Sequence, residues 1–263
     1  MADKPNFVLV PDSDPASTSA PPPAPVRAAV PVLARLRALV GIAGGLLPRD
    51  AELPEGATSA WNGRPRLVFG FDATASREPA WATARQVTDA LVRALPGELD
   101  VALAVHGGSR LHTFTSFTAD ASTLRDRAAG ISCIAGHTRL LPILSRSLAA
   151  PGVRVVTYIG DVFEESPGQG RRLADDMGRR GIKLIVLHDV ADWNARRDAE
   201  LFLDLARRTG GCVLPFDANA PGRLRELLAA VAVYAVGGEA LLEKRRGEMP
   251  GAVVLLRQLG GRG

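Results

Sequence analysis

The sequence predicts an α/β protein: a doubly wound, mostly parallel central sheet with one antiparallel edge strand and helices on both faces. Three observations carry the prediction. Short apolar runs, Leu67–Phe71, Val153–Ile159, Ile182–Leu187 and Cys212–Phe216, alternate with stretches whose apolar residues recur every three or four positions. The first three runs are nearly continuous, the pattern of strands covered on both faces. Only His106-Gly107-Gly108-Ser109 separates Leu99–Val105 from Arg110–Phe114, which reads as a β-hairpin. Right-handed βαβ crossovers then place helices on both faces of the sheet.

Taken in order, residues 1–25 hold Asp12-Ser13-Asp14-Pro15 and Pro21-Pro22-Pro23, and are expected to be disordered for want of apolar surface to bury. Val26–Leu47 is apolar, with Arg27, Arg35 and Arg37 near helical spacing. It suits an amphipathic helix docked on the domain, interrupted by Pro31, with a membrane-surface or partner-binding helix as the alternative. Residues 48–65, rich in Pro, Gly and acidic side chains, read as a linker, so that 26–65 is helix plus linker. The main domain is expected over 66–237. Its first helix, Pro79–Leu95, steps through Trp81, Ala84, Val87, Leu91 and Leu95, with Pro79 in the first turn where a missing N–H costs little. Further helices are expected near Ala121–Ala129, Thr138–Ala149, Arg171–Arg180, Arg196–Arg208 and Gly222–Val236. Residues 238–263 form a C-terminal extension without an assigned structure.

At 263 residues, 46% apolar and 23% charged, the chain has room for one main domain and a tail. Its net charge of +4 and pI of about 9.6 raise the question of nucleic acid. The densest basic segment, Arg171–Arg180, answers against it: Asp175 and Asp176 each lie four residues from an Arg on either side, an ion-pair ladder on a solvated helix face. Cys133 and Cys212 have neither zinc-site nor disulfide-framework spacing and read as small apolar residues. The first residues do not resemble a signal peptide, and Ala38–Leu47 is too short to span a bilayer. The expectation is a cytoplasmic protein with no membrane span and no nucleic-acid partner.

The chemistry concentrates where the first strand stops. Leu67-Val68-Phe69-Gly70-Phe71 ends at Asp72, followed by hydroxyls at Thr74 and Ser76. Ligands of open α/β sheets gather outside the carboxyl ends of the strands. Spacing by two in extended chain turns alternate side chains the same way. One carboxylate and two hydroxyls facing one point make a hard oxygen set suited to Mg²⁺ or Mn²⁺. Asp161 follows Val153–Ile159 in the same manner, and Thr138 lies in the glycine-containing loop Cys133–Arg139. Each has an ordinary alternative: Thr138 as a helix N-cap worth about 1 kcal/mol, Asp161 as a turn carboxylate after Gly160.

With Asp72-Ala73-Thr74-Ala75-Ser76, Thr138 and Asp161 in that order, the chain resembles the von Willebrand factor type A (vWA) domain family, including its bacterial members, over about Arg66–Val236. That family holds a divalent cation at a metal-ion-dependent adhesion site (MIDAS) built from a D-x-S-x-S loop, a threonine in a second loop and an aspartate in a third. The resemblance implies metal ligands Asp72, Thr74, Ser76 and Thr138, with Asp161 direct or through water. It implies a protein-interaction module without catalysis, whose unidentified partner is on this analogy an ATPase or chaperone-like machine. Thr74 replaces the family's serine but keeps the hydroxyl, and Val162-Phe163-Glu164-Glu165 stands where a glycine usually follows the third-loop aspartate. Two alternatives remain: a haloacid-dehalogenase-like, Mg²⁺-dependent phosphotransferase with Asp72 as nucleophile, and a metal-free scaffold of the same fold. The phosphotransferase is disfavoured by Thr74 where those enzymes carry a second Asp, and by the lack of Lys between Asp72 and Asp161. His137 adjoins Thr138 but reads as surface, and His106, His112 and His188 have no metal-ligand spacing.

Overall fold

The computed structural model describes residues 61–189 and 193–260. The expected disordered tail, helix 26–47 and most of the linker lie outside the described residues. Six strands, β1 Arg66–Asp72, β2 Asp100–Gly107, β3 Arg110–Phe114, β4 Val153–Gly160, β5 Lys183–His188 and β6 Cys212–Pro215, form one sheet in the order β3-β2-β1-β4-β5-β6. All neighbours run parallel except β2 and β3, which make the predicted antiparallel edge.

Alternate residues of each inner strand serve opposite faces. Leu67, Phe69 and Phe71 meet Trp81 of α1 (Glu78–Val87), Leu91 of α2 (Ala90–Arg93) and Leu124 of α3 (Ala121–Ala129). The same layer takes in Leu227 and Val231 of α7 (Pro221–Lys244) and Leu255 of α8 (Pro250–Gly260). Val68, Val156 and Val186 meet Ile143 of α4 (Leu140–Ala149), Met177 of α5 (Pro167–Arg179) and Phe202 of α6 (Trp193–Arg208) on the other side. Each large apolar side chain so buried contributes about 1.5–3 kcal/mol. Trp81, the largest of them, also donates its indole N–H to the Ile131 carbonyl at 3.1 Å, so its one polar atom is satisfied.

Three local expectations change. The helix predicted over Pro79–Leu95 is interrupted at Thr88 and Asp89, giving α1 and α2. The ladder along Arg171–Arg180 is replaced in part by pairs between helices: Arg171 pairs with Asp204 of α6 at 2.7 Å, and Arg208 of α6 reaches Asp175 at 2.9 Å as well as Asp204 of its own helix at 2.9 Å. Within α5, Arg179 pairs with Asp176 three residues away. Arg171 thus takes its partner from α6 and Asp175 takes Arg208, in place of partners four residues away on α5, and the face stays solvated. Beyond Val236, α7 kinks at Gly238 (φ 64°), where glycine carries a positive φ without strain. It runs on to Lys244, and α8 then folds back to bury Ala252, Leu255 and Leu259 in the core. Among the described residues, no helix is long and apolar enough to cross a membrane.

Candidate metal centre

Three adjacent parallel strands end in carboxylates at one edge of the sheet: Asp72 closes β1, Asp161 follows β4 and Asp189 follows β5. Asp72 is fully buried. Its Oδ1 accepts the Thr74 backbone N–H at 3.0 Å, folding the chain into the turn that carries Thr74 and Ser76, whose hydroxyl oxygens lie 3.4 Å apart. Its Oδ2 is buried and has no hydrogen-bond partner while the neighbouring Asp161 is ionised; a proton on Asp161 bonds the two carboxyls to each other. Burial pushes the Asp72 carboxyl up, against the Thr74 hydrogen bond, which favours the anion. Burial likewise carries Asp161 up to about 6, with Arg77 opposing and the Asp72 charge adding.

The second loop is fixed to the first through the backbone. Ile134 donates to the Ala73 carbonyl at 2.8 Å, and Gly108 of the hairpin turn donates to the Ile134 carbonyl at 3.2 Å. Close approach explains Gly136 (φ 155°): a Cβ there would lie 2.4 Å from the Ser109 nitrogen. Thr138, which the loop delivers buried, is clasped by Glu164 of the third loop. Its N–H donates to Glu164 Oε2 at 2.8 Å, and its hydroxyl accepts the Glu164 N–H at 3.1 Å. Thr138 is therefore not the N-cap of the following helix. That helix begins at Leu140, and Glu165 Oε2 accepts the Leu141 N–H at 2.9 Å in the capping role.

The third loop is held by side chains. Phe163 N–H donates to Asp198 Oδ2 at 2.9 Å, and His188 Nε2 lies 3.0 Å from the Asp161 carbonyl oxygen. With the Glu164–Thr138 clasp, these bonds supply the constraint that a glycine turn would otherwise supply. His137 is exposed, as expected, and its Nδ1 lies 2.9 Å from Glu164 Oε1.

The structure thus joins Asp72, Thr74 and Ser76 in one turn, sets Asp161 beside them, and ties Thr138 to the Asp161 loop. Sequence reasoning missed four participants. Arg77, one residue past Ser76, has a side chain only 7% exposed; its Nη1 lies 2.8 Å from Asp189 Oδ2 and 3.5 Å from Asp161 Oδ2. Asp189 follows the rule that singled out Asp72 and Asp161, a carboxylate just past an apolar strand. His106 pairs in register with Asp72, and its Nδ1 lies 3.6 Å from Asp72 Oδ1, too long for a hydrogen bond. Its Nε2 is 2.8 Å from the Tyr158 hydroxyl, and burial lowers the imidazole to about 3, so the ring is neutral.

These oxygens suit a hard dication. Asp72, Asp161 and Asp189 bring three carboxylates to this edge, and Arg77 pairs with the last two. Asp72 Oδ2 is the buried acceptor such an ion would satisfy. Among the described residues, no group of three or more His, Cys, Asp and Glu is arranged to hold a metal, so the candidate set depends on its hydroxyls.

By sequence, no protein-family model and no curated protein matches this chain. By structure, it resembles a von Willebrand factor type A protein from Catenulispora acidiphila with a TM-score of 0.55 at 15% identity, over 66% of this chain and 43% of that one. It resembles proximal thread matrix protein 1 from the mussel byssus, in a form with a zinc-occupied MIDAS motif, with a TM-score of 0.51 at 13% identity, over 65% and 46%. The pilus adhesin SpaC from Lactobacillus rhamnosus GG matches with a TM-score of 0.52 at 12% identity, over 67% and 31%. The chain spans less than half the length of each of these structures. At such identities the likeness establishes the fold, which is vWA-like.

Proposed function

We propose that this domain is a divalent-metal-dependent protein-interaction module. Asp72, Thr74, Ser76 and Thr138 hold one Mg²⁺ or Mn²⁺, with Asp161 direct or through water. The ion, when bound, supplies a Lewis-acidic position that a carboxylate of a partner protein completes. The observation that carries the reading is Asp72 Oδ2, a fully buried carboxylate oxygen that has no hydrogen-bond partner while Asp161 beside it is ionised. A buried polar atom left unsatisfied costs about 1–3 kcal/mol, more when charged, and a bound cation removes that cost.

The protein's own residues position rather than react. Glu164 and Thr138 lock the second and third loops together, and the Thr74 N–H aims the Asp72 carboxylate. We assign the module no catalysis. A phosphotransferase would need a cation free to grip a phosphoryl group, whereas Arg77, which follows the Asp72 turn, is buried and engaged by two carboxylates. The reading places the protein in the cytoplasm, where the thiols of Cys133 and Cys212 stay reduced. Its partner is an acidic surface of another protein, of the ATPase or chaperone-like kind that the family resemblance implies, and not nucleic acid. Affinity capture with the full chain tests this: EDTA and Thr138→Ala should each abolish a specific Mg²⁺-dependent capture. Mg²⁺-dependent hydrolysis of a generic phosphate ester, lost in Asp72→Asn, would instead establish the phosphotransferase.

A further inference from the structure

The metal-site reading leaves Arg77 unexplained. A buried guanidinium is costly unless carboxylates surround it. This one is placed by sequence directly after the hydroxyl turn, so its backbone cannot leave the site. Its Nη1 alone bridges the two neighbouring loops, closer to Asp189 Oδ2 (2.8 Å) than to Asp161 Oδ2 (3.5 Å). Its Nε and Nη2 are buried without hydrogen-bond partners. The guanidinium stacks no more closely than 6.0 Å from the Phe216 ring. What holds it is therefore charge, and Asp161 is shared between it and the proposed metal.

We propose that Arg77 is a tethered counter-cation that competes with the divalent ion for Asp161, with Asp189 as the anchor to which the guanidinium withdraws when metal binds. This rests on the metal-site reading above and adds a device that sets its affinity. Without metal, Arg77 offsets part of the charge of Asp161 and Asp189, so that the strand ends tolerate being close together. When a dication arrives, the nearby positive charge opposes it, and the shorter pair to Asp189 gives the guanidinium a place to remain neutralised. Such a site is tuned for weak, reversible loading rather than permanent occupancy, as a regulated interaction requires.

The inference predicts effects of opposite sign from two changes in one ion pair. Arg77→Gln removes the competing charge and should tighten Mn²⁺ binding at least tenfold, which is only about 1.4 kcal/mol and modest for unit charges a few ångströms apart near a protein surface. Asp189→Asn removes the anchor, leaves the guanidinium to Asp161 and should weaken Mn²⁺ binding by a similar factor. Arg77→Lys keeps the charge and should stay near wild type. General damage to the fold would weaken binding in every variant and cannot produce this pattern.

The experiment is Mn²⁺ titration calorimetry on the full chain for wild type and the three variants, with circular dichroism in EDTA to confirm folding. If Arg77→Gln does not fold, the Asp189→Asn and Arg77→Lys arms decide. Wild-type binding with equal or weaker affinity in Arg77→Gln, or undiminished affinity in Asp189→Asn, overturns the inference and leaves the metal site standing. No Mn²⁺ binding by any folded form overturns both. Binding by Arg77→Gln where wild type shows none supports the inference in its strongest form.

Discussion

Glu165 offers a quantitative test of how the loops are assembled. It sits on the third loop, and its Oε2 accepts the Leu141 N–H at the start of α4, so one side chain bridges the second and third loops. Burial pushes its carboxyl up to about 7 from an ordinary 4.5, against hydrogen bonds from the backbone of Leu141 and Leu140. The folded protein therefore keeps a proton on Glu165 between pH 4.5 and 7 that the unfolded chain has released. Stability from this group is full below about pH 4.5, declines as pH rises to about 7 and is level above it. At 1.36 kcal/mol per unit, the 2.5-unit difference sets a ceiling of roughly 3 kcal/mol on the decline. Glu165→Gln keeps the shape and an acceptor oxygen but cannot titrate. Chemical denaturation in EDTA at half-unit pH steps should show wild type losing stability from pH 5 to 7 more steeply than Glu165→Gln, by about 1–3 kcal/mol in total. Parallel profiles, within a few tenths of a kcal/mol, would refute the reasoning. Asp161 and Asp72 also titrate upward-shifted, which is why the difference between the two proteins, and not the wild-type slope, is the observable.

Two further changes separate the site from its frame. Glu164→Ala removes the side-chain half of the clasp on Thr138; Mn²⁺ affinity should fall several-fold in calorimetry while thermal stability in EDTA falls by no more than about 1–2 kcal/mol, the range for a lost hydrogen bond at a partly exposed site. Arg208→Ala, which removes one exposed ion pair between α5 and α6 and one within α6, should cost under about 1 kcal/mol in urea denaturation, shrink further at high salt and leave metal affinity unchanged.

Much of the frame was legible because it depends on local pattern. The run Leu67–Phe71 reads as a strand covered on both faces, and every one of its residues is buried. Asp72, Thr74 and Ser76 follow from strand-end logic and local spacing, and the turn that groups them is closed by one hydrogen bond two residues long. What sequence could not show is what lies far along the chain. Thr138 reads locally as a helix cap, but its partner, Glu164, is 26 residues away, and the helix is capped by Glu165 from the same distant loop. Nothing local in the sequence singles out Arg77, and only the sheet order, which sets β4 beside β1 and β5 beside β4, brings Asp161 and Asp189 to it. Asp189 could have been found by applying the strand-end rule to Ile182–Leu187. Arg171 and Asp175 read as partners of residues four positions away on α5 because only those are near in sequence, whereas the fold pairs Arg171 with Asp204 and Asp175 with Arg208, both on α6.

The central claim is that Asp72 anchors a divalent ion at this sheet edge. Isothermal titration of the full chain with Mn²⁺, for wild type and Asp72→Ala, tests it most directly. The account predicts one ion bound by wild type and none by Asp72→Ala, with both proteins folded by circular dichroism. Equal Mn²⁺ affinity in the two would contradict it.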